Sequence, residues 1–92
     1  MLFMMTFKWS PDAKERAEAM TRFQETGGQP PKGVKLLGRW TQADLSGGFD
    51  LLECEDPQLL AQFAQMWSDL MDLSIVPVLD EQVFQQVTKE RV

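Results

Sequence analysis

The chain has 92 residues, of which 43% are hydrophobic and 25% charged, and its net charge is −5. This size and composition are typical of a globular protein with one core, so we expect a single domain over residues 1–92. The acidic balance, with no basic residue between Trp40 and Thr88, argues against nucleic-acid and anionic-membrane partners, which require a cationic surface.

The N-terminal run MLFMMTF predicts a first strand from Leu2 to Lys8. Both of its sides are mostly apolar, which is typical of a strand that is covered on both faces. The run is too short to cross a bilayer and lacks the basic start and cleavage site of a signal peptide. We therefore expect a cytoplasmic protein.

A helix is predicted to follow this strand. Ser10 is its expected N-cap, Pro11 its first residue, and Gly27 or Gly28 its C-terminal stop. One apolar stripe follows the helical period, through Ala13, Ala17, Met20 and Phe23.

The runs VKLLGRWT and GGFDLLEC predict a hairpin whose loop surrounds QADLSG. The preferred register places Arg39 opposite Asp50 and groups the aromatic residues on one face. The expected pairs are Trp40–Phe49, Arg39–Asp50, Gly38–Leu51, Leu37–Leu52 and Leu36–Glu53. We expect Arg39 and Asp50 to form a cross-strand surface pair of small energetic value.

A second helix begins with Asp56 as N-cap and Pro57 as first residue. Its expected buried stripe is Leu60, Phe63, Ala64, Trp67 and Met71. The run LSIVPVLD, which starts at residue 73, then predicts a last strand, and Pro77 places that strand at a sheet edge. A short closing helix is capped by Asp80 and has Val83, Phe84 and Val87 on one side.

The order strand, helix, strand, strand, helix, strand predicts an α+β fold of the ferredoxin-like βαββαβ type. Its four-stranded antiparallel sheet carries both main helices on one face, which leaves the other face bare. Because the first strand is apolar on both sides, the bare face needs a cover. We therefore predict a two-fold homodimer with its sheets face to face.

Short motifs along most of the chain carry a family resemblance. They are MLFMM at the N-terminus, GRW at 38–40, AD at 43–44, GGFDLLE at 47–53, DPQLL from Asp56, WSDL from Trp67 and VPV from Val76. The chain resembles a family of short bacterial domains of unknown function that is similar to the dimeric α+β-barrel superfamily. The resemblance implies a ferredoxin-like protomer and a barrel-like dimer, and it assigns no function.

The absence of histidine and the single cysteine, Cys54, limit the chemistry that we expect. Without histidine there is no imidazole base, no histidine-activated nucleophile and no histidine ligand for haem, zinc or copper. The haem-handling branches of the superfamily depend on histidine. We therefore expect neither a metal nor a cofactor, and a single cysteine cannot form an internal disulfide.

Four residues of the hairpin are candidate ligand-binding residues. Trp40 either walls a pocket or packs on Phe49 across the hairpin. Glu53 either lies on the apolar face with a raised pKa, or sits solvated at the strand end, or pairs with Lys35 or Lys8. Asp44 either contacts a ligand or shapes its turn, and Arg39 either binds an anion or pairs with Asp50.

Two functions fit these residues. The first is a non-catalytic homodimeric module that binds a small molecule or serves as an interaction domain. The alternative is a cofactor-independent enzyme of the small monooxygenase or isomerase type, with Glu53 or Asp44 as base and Trp40 as pocket wall.

Overall fold

A computed structural model describes residues 1–90 of the chain. In chain order the elements are β1 (Leu2–Trp9), α1 (Ala13–Thr26), β2 (Lys35–Thr41), β3 (Gly47–Glu53), α2 (Pro57–Trp67), β4 (Met71–Val78) and α3 (Glu81–Lys89). The predicted order is confirmed. The C-terminal end of the predicted closing helix, residues 91–92, lies outside the described residues.

The four strands form one sheet in the order β2-β3-β1-β4, with antiparallel neighbours throughout. This is the predicted ferredoxin-like α+β arrangement. Pro77 lies on the edge strand β4, where its missing backbone donor costs no hydrogen bond to a further strand. Within residues 1–90, no helix combines the length and apolar character that a membrane span requires.

Helix α1 begins two residues later than predicted. Asp12, not Ser10, is its N-cap, because the Asp12 carboxylate accepts hydrogen bonds from the backbone nitrogens of Lys14 at 2.8 Å and Glu15 at 3.2 Å. Ser10 instead accepts from the Asp12 backbone nitrogen at 3.1 Å. The Asp12 carboxylate accepts hydrogen bonds from two helix N–H groups that have no partner within the helix. Asp12, and not the Ser10 hydroxyl, therefore caps the helix.

The caps of the other two helices are the predicted ones. Asp56 accepts from the Gln58 nitrogen at 2.9 Å at the start of α2, and Asp80 accepts from the Val83 nitrogen at 2.8 Å at the start of α3. The last strand begins at Met71, two residues before the predicted start. Met71 therefore belongs to the sheet and does not extend the buried stripe of α2.

The predicted hairpin register is correct for Trp40–Phe49, Arg39–Asp50 and Gly38–Leu51 and wrong beyond them. A bulge lies between Leu36 and Gly38, so that Leu36 pairs with Leu52 and Lys35 with Glu53. The expected Leu37–Leu52 and Leu36–Glu53 pairs are therefore absent. The bulge inserts one residue into β2 and keeps Leu52 fully buried. A register with strict residue-by-residue pairing along both strands does not include such an extra residue.

The core lies between the sheet and α2. Its central members are Met5, Phe7 and Leu52 from the sheet and Leu60, Phe63 and Trp67 from α2. Helix α1 adds only Ala19 to the buried set, and the predicted stripe residues Met20 and Phe23 remain 46% and 40% exposed. Helix α1 therefore does not close onto the sheet as tightly as α2 does.

Candidate functional site: a cleft between the first helix and the sheet

An apolar cleft of about 760 Å³ lies where α1 stands off from the sheet. Most of its lining is apolar, from Met5, Phe7, Trp9, Ala17, Ala19, Met20, Phe23, Leu45, Phe63, Trp67 and Met71. The remaining lining residues are Arg16, Gly28, Arg39, Thr41, Asp44 and Asp50. The volume falls within the range of about 300–1,000 Å³ that is usual for small-molecule sites.

Asp50 and Arg39 form a buried ion pair in the lining of this cleft. The Asp50 side chain is 1% exposed, and its two oxygens accept from Arg39 Nε at 2.7 Å and Nη2 at 2.9 Å. The predicted pairing is confirmed, but the expected surface location is wrong. Even-numbered positions of β3 face the helices, so this pair lies under α1 and not in solvent.

Arg39 also joins the sheet to the end of α1. Its Nη2 donates to the Gly28 carbonyl at 2.7 Å, and its guanidinium carbon lies 5.3 Å from the centroid of the Phe23 ring. Gly28 has φ +64°, and a Cβ placed there would lie 2.6 Å from both Arg39 Nη1 and Phe23 Cε2. Only glycine gives both the backbone conformation and the space for this contact.

The loop between β2 and β3 forms one rim of the cleft. Asp44 Oδ1 accepts from Ser46 Oγ at 2.7 Å and from the Ser46 backbone nitrogen at 3.0 Å. These two hydrogen bonds hold the pKa of Asp44 below its usual value, and the bond from the Ser46 hydroxyl has the larger effect. Asp44 therefore shapes its turn, which is one of the two roles expected for it from the sequence. It also lines the cleft.

Leu45, the next residue in the rim, has a strained backbone. It is the one non-glycine residue with positive φ, at 62°, within residues 1–90, and its side chain is 73% exposed. A left-handed leucine costs about 1–2 kcal/mol, and residues with such strain cluster at functional sites. An exposed apolar side chain held in this conformation at the cleft rim is a candidate contact for an apolar molecule.

Two of the four predicted site residues lie elsewhere. Trp40 is 55% exposed on the opposite face of the sheet, where its ring covers Gly38. Glu53 has the same strand parity as Phe49 and is exposed at the end of β3. Neither residue lines the cleft, whereas Arg39 and Asp44 do. The structure therefore does not place Trp40 or Glu53 beside the other two.

Trp9 and Arg16 are cleft residues that the sequence interpretation did not select. The Trp9 ring lines the cleft, and its buried Nε1 has no hydrogen-bond partner among the described residues. Arg16 is exposed, and its recorded hydrogen bond runs from Nη1 to the Pro11 carbonyl at 3.3 Å. The spacing of Arg16, Met20 and Phe23 on a predicted helix would have placed them on one side.

Arg22 fixes α1 to the end of α2. It donates to both carboxylate oxygens of Asp69 at 2.9 Å and to the Met66 carbonyl at 2.7 Å. Its guanidinium also lies 5.6 Å from the ring centroid of Trp67, a cleft residue. The hydrogen bonds with Arg22 lower the pKa of Asp69 below its usual value.

Cys54 lies in the core, not in the cleft. Its side chain is buried and its Sγ donates to the Asp56 carbonyl at 3.0 Å, which fits a packing role better than a reactive thiol. Among residues 1–90, no group of three or more acidic or cysteine side chains is arranged to hold a metal ion.

The sheet order, the paired helices and the cleft define an α+β protein of ferredoxin-like topology with a mostly apolar cleft between helix and sheet. Sequence comparison assigns the family: the chain belongs to the family described as a domain of unknown function, DUF3303, which matches residues 1–92. No curated protein matches the sequence at a significant level.

Proposed function

We propose that this chain is a homodimeric module that binds an apolar small molecule in the cleft between α1 and the sheet. The observation that carries the proposal is a cleft of about 760 Å³ lined by eleven apolar side chains, in a chain of 92 residues. Small domains normally close such a gap, because unfilled apolar space forfeits packing energy.

The polar groups of the cleft fit binding better than acid–base catalysis. Asp50 is held by Arg39 in a two-point pair, and Asp44 is held by Ser46. Glu53, the other proposed base, lies on the opposite face of the sheet. Both carboxylates of the lining thus already accept hydrogen bonds from neighbouring side chains, which favours the non-catalytic module over the enzyme alternative.

A thermal-shift screen with small apolar compounds tests the binding site, since a ligand stabilises the folded state by mass action. Ala17→Trp fills the cleft from α1. Ala13→Trp is the matched control, because Ala13 is exposed on the same helix but does not line the cleft. We expect hits with the wild type and the control variant that disappear in Ala17→Trp. Hits that survive in Ala17→Trp, or no hits at all, would contradict the proposal.

The outer face of the sheet supports the homodimer. Val76, Met4 and Leu51 are aligned across β4, β1 and β3, and Phe49 and Trp40 are paired beside them. Phe49, Val76 and Trp40 are 37–55% exposed. A contiguous apolar surface of this kind is typical of an interface, and a second copy offers the same surface in a two-fold arrangement.

Helix α3 offers a second apolar surface for the same partner. None of its residues is buried, although Val83, Phe84 and Val87 lie on one side and Leu79 precedes them. We propose that this side of α3 also contacts the second copy, because an exposed apolar helix side is typical of an interface. Light scattering gives the mass directly, and a monomer of 10.5 kDa at micromolar concentration would contradict the dimer.

A further inference from the structure

We infer that the cleft selects apolar molecules that carry one carboxylate group, with Arg16 as the residue that binds the carboxylate. This inference rests on the proposed function, because it names the ligand class of the same cleft. It follows from comparing the four charged side chains in the lining, which are Arg16, Arg39, Asp44 and Asp50.

Three of these four side chains already have strong partners. Arg39 and Asp50 neutralise each other through two hydrogen bonds, and a second Arg39 Nη2 hydrogen bond goes to the Gly28 carbonyl. Asp44 is held by Ser46. A ligand that displaced any of them would have to replace charge-assisted hydrogen bonds that are already made.

Arg16 is the exception. The ion pairs within residues 1–90 do not include Arg16, and its side-chain hydrogen bond to the Pro11 carbonyl is long at 3.3 Å. A guanidinium carries five N–H donors in a planar fork that matches the two oxygens of a carboxylate. Arg16 therefore presents a cation without an ion-pair partner at a cleft whose lining is mostly apolar.

The apolar part of the lining determines which group the carboxylate should be attached to. From Arg16 the surface continues along α1 to Met20 and Phe23, and across the cleft it meets Phe63 and Trp67. None of these side chains offers an ionic contact. An aliphatic chain or a ring attached to the carboxylate would bury against them and gain hydrophobic free energy.

The overall charge of the protein makes this selection specific to the site. A chain of net charge −5 repels anions at long range. A preference for a carboxylate over an uncharged head group must therefore come from a local cation. This separates a site effect of Arg16 from a general electrostatic effect.

The test compares decanoate with 1-decanol, which share a ten-carbon chain and differ in the head group, by isothermal titration calorimetry. Arg16→Gln removes the proposed contact. Lys14→Gln is the matched control, since it removes the same charge from an exposed position on the same helix that does not line the cleft. Arg16→Lys keeps the charge but loses the planar fork.

We expect the wild type to bind decanoate more tightly than 1-decanol. Arg16→Gln should weaken decanoate by about tenfold and change 1-decanol by less than about twofold, with Arg16→Lys in between for decanoate. Lys14→Gln should leave both affinities unchanged. Equal weakening by Arg16→Gln and Lys14→Gln, no preference for decanoate, or no binding of either compound would overturn the inference.

The outcomes separate this inference from the proposed function. If 1-decanol binds as well as decanoate and both are lost in Ala17→Trp, the cleft is a ligand site with a different head-group preference. If both compounds bind equally to Ala17→Trp and to the wild type, the cleft is not their site and both proposals fail.

Discussion

Arg39 and Asp50 meet across the β2–β3 hairpin in a two-point ion pair under α1, with Nε–Oδ1 and Nη2–Oδ2 distances of 2.7 and 2.9 Å. The same guanidinium reaches the Gly28 carbonyl at the end of α1. The pair therefore links two strands and a helix terminus at one point of the cleft lining. The pair has a structural role and forms an electrically neutral polar part of the cleft lining.

Removal of one partner of the Arg39–Asp50 pair should lower the free energy of unfolding by several kcal/mol. Asp50→Ala leaves Arg39 under α1 without a counter-charge, and breaking a buried pair in this way typically costs about 3–5 kcal/mol. Urea unfolding measures the change. The double variant Arg39→Met with Asp50→Leu should regain much of the loss, because an apolar replacement leaves no unpaired charge. A cost below about 1 kcal/mol for Asp50→Ala, the size typical of an exposed pair, would contradict this account of the site.

Replacement of Leu45 should increase the stability of the fold and weaken ligand binding. Leu45→Asn places a residue that tolerates positive φ at 62° and should stabilise the fold by about 0.5–1 kcal/mol. The same change removes an apolar contact at the cleft rim and should weaken ligand binding. Ala43→Asn in the same loop is the control, since Ala43 does not have positive φ and does not line the cleft. A Leu45→Asn variant that is less stable, or that binds ligand as tightly as the wild type, would refute the prediction.

A charge on the outer sheet face should dissociate the proposed dimer. Phe49→Glu puts a carboxylate opposite Trp40, and we expect a monomer by light scattering because an unpaired charge cannot be buried cheaply in an interface. Met66→Glu is the control, because Met66 is a similarly exposed apolar residue of α2, on the helix side of the sheet. Identical masses for both variants would argue against the sheet face as the interface.

Helix α3 gives an independent test of the same dimer. Phe84→Glu alters its apolar side and should weaken dimerisation, whereas Gln82→Glu, on the opposite side of the helix, should not. Dilution followed by analytical ultracentrifugation measures the dissociation constant of each variant. If Phe84→Glu dimerises as tightly as the wild type, α3 does not contact the partner.

The Arg22–Asp69 pair should make stability depend on pH in the acid range. Folding lowers the pKa of Asp69 below its usual 3.8. The ionised Asp69 carboxylate therefore stabilises the fold fully at pH values above 3.8, and this stabilisation is lost as the pH falls through the folded-state pKa. Asp69→Asn should therefore reduce stability near neutral pH, by no more than about 1 kcal/mol because the pair is exposed. The difference from the wild type should vanish at low pH. Asp72→Asn is the control, and an equal pH dependence in both variants would contradict the role of the pair.

The fold was largely predictable because local signals agree with it. Asp56–Pro57 marks the start of α2, Gly27 ends α1, and Pro77 marks an edge strand, each through a backbone constraint that the residue itself imposes. The bulge near Leu37 was not predictable, since it depends on the burial of Leu52 in three dimensions. The N-cap of α1 was missed because Ser10 and Asp12 are both good caps and only the observed hydrogen bonds distinguish them.

The candidate site was predicted only in part. Of the four hairpin residues that the sequence suggests, Arg39 and Asp44 line the cleft, while Trp40 and Glu53 lie on the other face of the sheet. Aromatic and acidic character in the hairpin does not reveal which face carries the helices. The cleft depends on how far α1 stands from the sheet, and that distance is a tertiary property with no local sequence signal.

The most direct test of the cleft uses the indole N–H signals of the three tryptophans in a two-dimensional nitrogen–proton NMR spectrum during titration with decanoate. Trp9 and Trp67 line the cleft, whereas Trp40 lies on the opposite face of the sheet. A ligand in the cleft should shift the Trp9 and Trp67 signals and leave Trp40 unchanged. A shift confined to Trp40, or no shift in any of the three, would contradict the claim that this cleft is the binding site.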